Sequence, residues 1–243
     1  MKYIKYFIFT AVIGFFVSCT TDTDSYFLKG RLENCDSCEL YLMEMENSGV
    51  RALDTLKADS DGKFSSKEKL EEESIFILQS KNDYIMLCPK TGEKIVINGD
   101  YENLATTYSI TGSEESSKLK LLNDKQVMTR IALKNMSEQL QMTDINNIDS
   151  VRKEIQNKYN LLRNNQREFL ISYINSNEGS LTCLVALYRN MENVPLIDYR
   201  KDFDVYKKVL KGLKSEYPDN RNTKDLERFV KEIESIQQND TVK

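Results

Sequence analysis

The sequence contains no histidine and no tryptophan, and it has only 9 glycines and 3 prolines among 243 residues. Histidine is the commonest general base near neutral pH, and its absence excludes a Ser-His-Asp triad, a Cys-His pair and a zinc site of the HExxH type. The few glycines form neither of the glycine-rich motifs that bind the phosphates of nucleotides. We therefore predict no catalytic residue, no metal and no cofactor.

Acidic residues slightly outnumber basic ones: the chain has 38 aspartates and glutamates, 34 lysines and arginines, and a formal net charge of -4. The basic residues do not form a cluster. Nucleic-acid binding depends on lysine and arginine side chains that displace counterions from phosphates. We therefore predict that nucleic acid is not a partner.

The first 19 residues, MKYIKYFIFTAVIGFFVSC, have the features of an export signal. Lys2 and Lys5 precede an apolar run of about a dozen residues, which is shorter than the ~20 that a membrane-spanning helix needs. The run ends in Phe16-Val17-Ser18-Cys19, which resembles a bacterial lipobox. The resemblance implies a lipoprotein signal peptide over residues 1–18, cleavage before Cys19, and fatty acyl chains such as palmitate on Cys19. A plain secretory signal or a buried helix is the alternative.

The polar residues after the cysteine suit a lipidated tether over residues 19–25. Several acyl chains give stable anchoring where a single chain is marginal. We therefore expect a lipid-anchored protein of the cell envelope that faces the periplasm or the cell surface. Thr20 gives no clear retention signal, so these residues do not decide between the inner and the outer membrane.

Apolar and polar residues alternate from residue 26 to residue 112. The segments recur about every ten residues with turn residues between them, which is typical of antiparallel sheets. Asp61-Gly62 predicts a hairpin turn rather than a calcium loop, because EF-hand spacing is not met. The runs at 75–78 and 84–88 are apolar on both faces, so we expect central strands. This β-domain is predicted to be an antiparallel β-sandwich or an open barrel.

Helical spacing of apolar residues begins after the β-domain. Ser113 is placed to cap a first long helix, and Asp144 or Asn147 is placed to cap a second. We expect these two helices to pair as an antiparallel hairpin. The second helix carries an apolar stripe at seven-residue spacing, which consists of Ile148, Ile155, Leu162 and Phe169.

Shorter helices are expected to complete the C-terminal region. Ser180 is placed to cap an apolar helix, and Pro195 suits the first turn of the helix after it. We predict a helical domain over residues 113–238 and a disordered tail over residues 239–243. The predicted fold class is therefore α+β, with an N-terminal β-domain followed by a C-terminal α-helical region.

Several short segments occur in a distinctive order, namely FLKG at 27–30, DSDGKF at 59–64, YSITGS at 108–113, FLI at 169–171 with Asn175, Asn177, Ser180, Leu181, Ala186, Leu187 and Tyr188, and then Tyr206, Leu210, Leu213, Tyr217 and Pro218. This order resembles a family of exported lipoproteins of Bacteroidetes. Its members have an N-terminal β-domain of unknown function, followed by helices and usually by a thioredoxin-like domain. That last domain carries the redox cysteines and is expected to be absent here, so the resemblance does not extend thiol–disulfide exchange to this chain. The resemblance implies that the lipid anchor lies in the outer membrane.

The motif Cys35-Asp36-Ser37-Cys38 is the most specific candidate for a redox site in the sequence. A redox pair of the thioredoxin type lies at a helix N-terminus, where the helix dipole stabilises the thiolate. This pair instead lies between two predicted strands, and Glu33 and Glu39 add negative charge that disfavours a thiolate. We therefore predict a disulfide between Cys35 and Cys38 rather than a catalytic pair.

A zinc site would need about four ligands, and without histidine these would be four cysteines. After lipidation of Cys19 the remaining set is Cys35, Cys38, Cys88 and Cys183. Cys88 lies in an apolar strand and Cys183 in an apolar helix, where buried free thiols are ordinary. We therefore predict no metal site.

Three functional hypotheses follow from these observations. The first is a non-catalytic envelope lipoprotein, not an enzyme, that acts as a binding or assembly module for an unknown envelope protein or ligand. The second is a thiol–disulfide oxidoreductase, or its accessory partner, that uses Cys35 and Cys38. The third is a lipoprotein that binds a glycan or a peptide on a groove of aromatic residues, since the chain has 13 tyrosines and 10 phenylalanines.

Overall fold

The structure is a computed structural model, and it describes residues 24–46 and 49–241. The predicted signal peptide and the predicted lipidation site Cys19 lie outside the described residues. The described chain begins at Asp24, and Ser25 is already the first residue of a strand. The first strand therefore begins at the last residue of the segment predicted as a tether.

The fold class is α+β, as predicted: two four-stranded sheets come first and helices follow. The strands are β1 (Ser25–Glu33), β2 (Glu39–Glu46), β3 (Gly49–Lys57), β4 (Lys63–Lys69), β5 (Phe76–Gln79), β6 (Tyr84–Leu87), β7 (Lys94–Asp100) and β8 (Ser109–Thr111), with a short helix α1 (Leu104–Thr107) before the last of them.

The first sheet has the strand order β4-β1-β7-β8 and the second has the order β3-β2-β5-β6. The pairing of β1 with β7 is parallel, with Phe27 opposite Lys94, and every other pair within these two sheets is antiparallel. The first sheet is thus mixed rather than wholly antiparallel. The reason is that the chain crosses to the second sheet and back between β1 and β7, and no hairpin joins the two strands.

The two sheets pack face to face around one apolar core. Leu28 and Ile95 from the first sheet and Leu40, Leu42 and Leu78 from the second are completely or almost completely buried in the same cluster. Alternate residues of β1, β2 and β7 point into this core, as the period of two in the sequence predicts. The β-domain is therefore a sandwich.

The outer face of the second sheet is also buried, because the helices cover it. Ile75, Met86 and Cys88 belong to a second apolar cluster that includes Leu119 and Leu170 from the helices. This explains why the runs at 75–78 and 84–88 are apolar on both faces. The expectation of a central position is met by β5, but it is wrong for β6, which is an edge strand that the helices cover.

The helical domain consists of α2 (Glu114–Gln141), a 3₁₀ turn (Ile145–Asn147), α3 (Ile148–Ser176), α4 (Thr182–Leu187), α5 (Phe203–Glu216) and α6 (Arg221–Thr241). Ser113 caps α2 as predicted, since its hydroxyl accepts the N–H of Ser116 at 3.2 Å. Helices α2 and α3 form the predicted antiparallel hairpin, with Lys158 near Gln139 and Gln166 bonded to Thr129.

The prediction that Pro195 lies in the first turn of a helix is wrong. Pro195 belongs to the two-residue strand β10 (Val194–Pro195), which pairs with β9 (Asn190–Met191), and α5 begins only at Phe203. Glu192 and Asn193 both adopt positive φ and make the tight turn between these strands. At the C-terminus, α6 continues to Thr241, into the segment predicted as a disordered tail. None of the helices in the described ranges is both long and apolar enough to cross a membrane.

Candidate functional site

The cysteine motif lies in the loop between β1 and β2, away from any helix N-terminus. Cys35 and Cys38 are joined by a disulfide, with their Cα atoms 5.4 Å apart. The backbone holds the loop against the β3–β4 turn, because the Ser37 N–H donates to the carbonyl of Asp59 and the Ala58 N–H donates to that of Cys38. The loop therefore closes one end of the sandwich and lacks the helix dipole that activates a redox cysteine.

The free cysteines of the described ranges, Cys88 and Cys183, are buried in the cluster between the second sheet and the helices. Burial raises the pKa of Cys88 well above its usual range, and it raises that of Cys183 to about 12. Each thiol is therefore protonated at neutral pH and cannot act as a nucleophile. The disulfide belongs to the other core, and in the described ranges no group of three or more Cys, Asp or Glu side chains could hold a metal ion.

A buried carboxylate lies where three helices meet. Glu115 of α2 accepts a hydrogen bond from the Ser180 hydroxyl and pairs with the Lys118 ammonium at 2.7 Å. The Ser180 and Thr182 hydroxyls are 2.6 Å apart, and the Tyr173 hydroxyl is 2.6 Å from that of Thr182. Each member of this network has its partner within the network, so the cluster joins α2, α3 and α4 rather than presenting a free group to a substrate.

A cavity of about 550 Å³ opens between the outer face of the second sheet and helices α2, α4 and α6. Its apolar wall comes from both parts of the chain, namely Met45, Ile75, Met86, Leu184, Leu226 and Phe229. Tyr84 of β6 and Tyr188 after α4 also line it, and both are about half exposed. The cavity is thus apolar inside and has aromatic residues that are accessible from solvent.

Two carboxylates line this cavity, and both are already engaged. Glu46 pairs with Arg51 at 2.9 Å and lies 3.5 Å from Arg221. Asp225 pairs with Arg228 at 3.0 Å on the same helix. The negative charges of the cavity wall are therefore balanced by side chains outside the wall.

Arg189 lines the same cavity and, unlike the two carboxylates, has a polar atom without a partner among the described residues. Its Nη2 is buried and has no hydrogen-bond partner in the part of the chain that the structure describes. Burial lowers the pKa of Arg189, the nearby Tyr84 phenol opposes this shift, and the nearby Arg130 adds to it. The charged groups that act on Arg189 thus include a second cation and no carboxylate.

The cavity is held in shape by an ion network at the N-terminus of α6, which we call the junction network: Glu44, Arg51, Glu46, Glu72 and Arg221. Glu44 is only 4% exposed and contacts both guanidinium groups. Arg221 also lies 3.5 Å from carboxylate oxygens of Glu46 and of Glu72. The network fixes α6, which supplies one wall of the cavity, to strand β2.

The sequence did not reveal this cavity in advance. Arg189 follows the apolar helix TCLVAL after a single tyrosine, and an arginine directly after a buried helix was the one available signal. The cavity wall combines β2, β6, α2, α4 and α6, so its residues are dispersed from Met45 to Phe229. Local patterns carry no information on how such distant segments meet.

Comparison with curated proteins found no match, and comparison with solved structures found none either. A family model matches residues 26–119, which span the whole β-domain and the first turns of α2. The matched segment includes Met45, Ile75, Tyr84 and Met86 of the cavity wall but not Arg189. Residues 26–119 of this chain therefore match the domain of unknown function DUF4369.

Proposed function

We propose that this protein is a non-catalytic binding module, held at a membrane of the cell envelope through lipid on Cys19, and that it binds its ligand in the cavity between the β-domain and the helices. The observation that carries the proposal is the cavity itself. It has about 550 Å³, an apolar wall and a few polar groups, which are the features of a small-molecule site.

The support for a non-catalytic role is the state of the reactive groups. Both free thiols are buried and protonated at neutral pH, and Glu115 is bonded to Ser180 and Lys118. Covalent catalysis needs a nucleophile beside a base, with both accessible to the substrate. The described residues of the cavity wall do not provide such a pair, whereas they do provide apolar surface.

The support for the anchor is the sequence of residues 1–19, which combines a basic start, an apolar run and the lipobox-like Phe16-Val17-Ser18-Cys19. Metabolic labelling with radioactive palmitate tests it directly. The native chain should be labelled and should sediment with membranes, whereas Cys19→Ala should be unlabelled. Density-gradient separation of inner and outer membranes then tests the outer-membrane location. A labelled Cys19→Ala chain, or an unlabelled native chain, would contradict the anchor.

The cavity is tested with Nile red, an uncharged apolar dye whose fluorescence rises out of water. The chain from residue 19 onward, with Cys19→Ser to prevent lipidation, contains every described residue. We expect saturable binding of one dye per chain. Val185→Trp places a large ring on the cavity wall and should abolish this binding.

Leu161→Trp on the exposed face of α3 is the matched control, because it adds the same ring away from the cavity wall. It should leave dye binding unchanged. Circular dichroism must show that both variants are folded, since partly folded chains also bind apolar dyes. Equal binding by the two folded tryptophan variants, or no saturable binding by the parent chain, would refute the cavity as a ligand site.

The second candidate function is thiol–disulfide exchange, and the observation that favours it is the Cys35–Cys38 disulfide in a loop whose Asp36 and Ser37 are exposed. The two candidates differ in the reduction potential of this pair. A potential below about -300 mV is typical of structural disulfides and would exclude exchange with envelope thiols. Equilibration with a series of dithiothreitol ratios, followed by thiol labelling, measures it.

A further inference from the structure

We infer that the ligand of this cavity is an aliphatic monocarboxylate of the fatty-acid class, with Arg189 as the residue that binds its carboxylate. The inference rests on the proposed function, since it names the ligand of the same cavity. It depends on a mismatch within the cavity wall: each of the two carboxylates that line the wall has a cationic partner, whereas Nη2 of Arg189 has no hydrogen-bond partner among the described residues.

The mismatch is a matter of charge and of hydrogen bonding. A guanidinium carries five N–H donors and stays protonated, so it cannot lose its charge when it is buried. A buried donor without an acceptor costs free energy, and a buried charge without a counter-charge costs more. Nη2 of Arg189 is in this state within the described chain, and Arg130 nearby adds a further positive charge. An anionic ligand against the part of Arg189 that lines the cavity would supply the missing counter-charge.

A carboxylate is the anion that matches this site. One guanidinium presents two parallel N–H groups to the two oxygens of a carboxylate, and this charge-assisted contact is stronger than a neutral hydrogen bond. A phosphate group carries more charge and an additional oxygen, and binding it needs several donors. Apart from Arg189, the polar groups of the cavity wall include Glu46 and Asp225, which would repel a multiply charged anion.

We expect the rest of the ligand to be apolar, because the larger part of the cavity wall is apolar. Met45, Met86, Leu184 and Phe229 present unbranched, branched and aromatic apolar side chains to the same space. Methionine side chains are flexible and adapt to alkyl chains of differing shape. A volume of about 550 Å³ lies within the range of pockets that bind small molecules. The wall also carries the amides of Gln126, Asn190 and Asn222, but its larger part is apolar, so an alkyl chain is a better fit than a sugar.

The test compares three ligands with the same ten-carbon chain and different head groups, namely decanoate, 1-decanol and decyltrimethylammonium. Each is titrated below its aggregation threshold into the chain from residue 19 onward with Cys19→Ser, and heat of binding is recorded. We expect decanoate to bind about 10- to 100-fold more tightly than decanol, as one charge-assisted contact implies. Decyltrimethylammonium should bind most weakly, because its charge has the same sign as that of Arg189 in the wall and of the nearby Arg130.

Three variants identify the residue responsible. Arg189→Gln should weaken decanoate binding by about 10- to 100-fold and leave decanol binding unchanged. Arg189→Lys keeps the charge and should retain part of the preference, and it also serves if the glutamine variant fails to fold. Arg152→Gln is the matched control: its side chain is 65% exposed on α3, and the same loss of charge there should change nothing.

The outcomes separate this inference from the function on which it rests. Tighter binding of decanoate that is lost in Arg189→Gln, but not in Arg152→Gln, supports both. Equal binding of decanoate and decanol, blocked by Val185→Trp, leaves the cavity as a ligand site and overturns the carboxylate assignment. A preference for decanoate that survives in both Arg189 variants overturns the role of Arg189. Binding of none of the three ligands overturns the inference and the apolar cavity together.

Discussion

The junction network should contribute measurably to stability, and Arg221→Met tests this. Methionine keeps an unbranched stem of similar reach and removes only the guanidinium. The substitution leaves Glu44, which is 4% exposed, with Arg51 as its remaining cationic partner. It also removes the 3.5 Å contacts of Arg221 with Glu46 and Glu72.

The magnitude follows from two contributions. Removing one partner of a buried ion pair costs about 3–5 kcal/mol, and the low end applies because Arg51 stays in place. Arg221 is the first residue of α6, where a cation opposes the helix dipole, so its removal returns about 0.5 kcal/mol. We therefore expect the free energy of unfolding to fall by about 2.5 kcal/mol.

Urea unfolding followed by circular dichroism at 222 nm measures this loss as a shift of the midpoint without a change in slope. Arg228→Met is the matched control on the same helix, since the Arg228 side chain is 76% exposed and pairs only with Asp225 in the described chain. Its expected cost is below about 0.5 kcal/mol, as for exposed pairs generally.

A double-mutant cycle with Glu44→Gln isolates the pair itself, and we expect a coupling energy of about 1–2 kcal/mol between Glu44 and Arg221. The buried contact should also resist screening by salt, unlike a pair on the surface. If Arg221→Met and Arg228→Met cost the same, or if the coupling with Glu44 vanishes, the reasoning about this network is wrong.

Three further outcomes are expected. Cys35→Ser combined with Cys38→Ser should lower the free energy of unfolding by about 2 kcal/mol in urea, because the closed loop is short; no change would contradict this. Gly112→Ala should cost about 1–3 kcal/mol in the same assay, because φ is +85° and a Cβ would lie 2.0 Å from the Lys94 carbonyl oxygen; an unshifted midpoint would refute it. Burial raises the pKa of Cys183 to about 12, so its contribution to the free energy of unfolding is complete below the unfolded pKa near 9 and is lost as pH rises toward 12. Cys183→Ser should therefore reduce the loss of stability at alkaline pH. Parallel stability profiles of the variant and the parent chain would exclude this contribution.

Local patterns in the sequence predicted most of the elements. The alternation in β1 and β2 follows from burial of one strand face, and Ser113 caps α2 because its hydroxyl replaces a missing backbone acceptor. These features depend on neighbours within a few residues. The turn at Asp61-Gly62 is also local, and Gly62 adopts a positive φ there. The prediction that it is a hairpin turn is wrong, because it joins β3 to β4 in the other sheet and the two strands do not pair.

The features that the sequence did not predict depend on distant segments. The parallel pairing of β1 with β7 joins residues about seventy positions apart, and a period of two does not encode strand direction. Pro195 is compatible with a first helical turn or with an edge strand. It lies in a strand because the turn at Glu192 and Asn193 places Val194 and Pro195 beside Met191 and Asn190. The environment of Arg189 arises only when α4 and α6 meet the second sheet.

The position of β1 inside its sheet has a consequence for the order of folding. Strand β1 is the first to follow the predicted anchor, yet it lies between β4 and β7, so its hydrogen bonds are complete only after residue 100 is present. Pairing across such a separation requires a large loop to close first, which slows folding. A chain that emerges from its N-terminus must therefore keep this strand unpaired on one side until β7 emerges, and during that interval it is open to association with other chains.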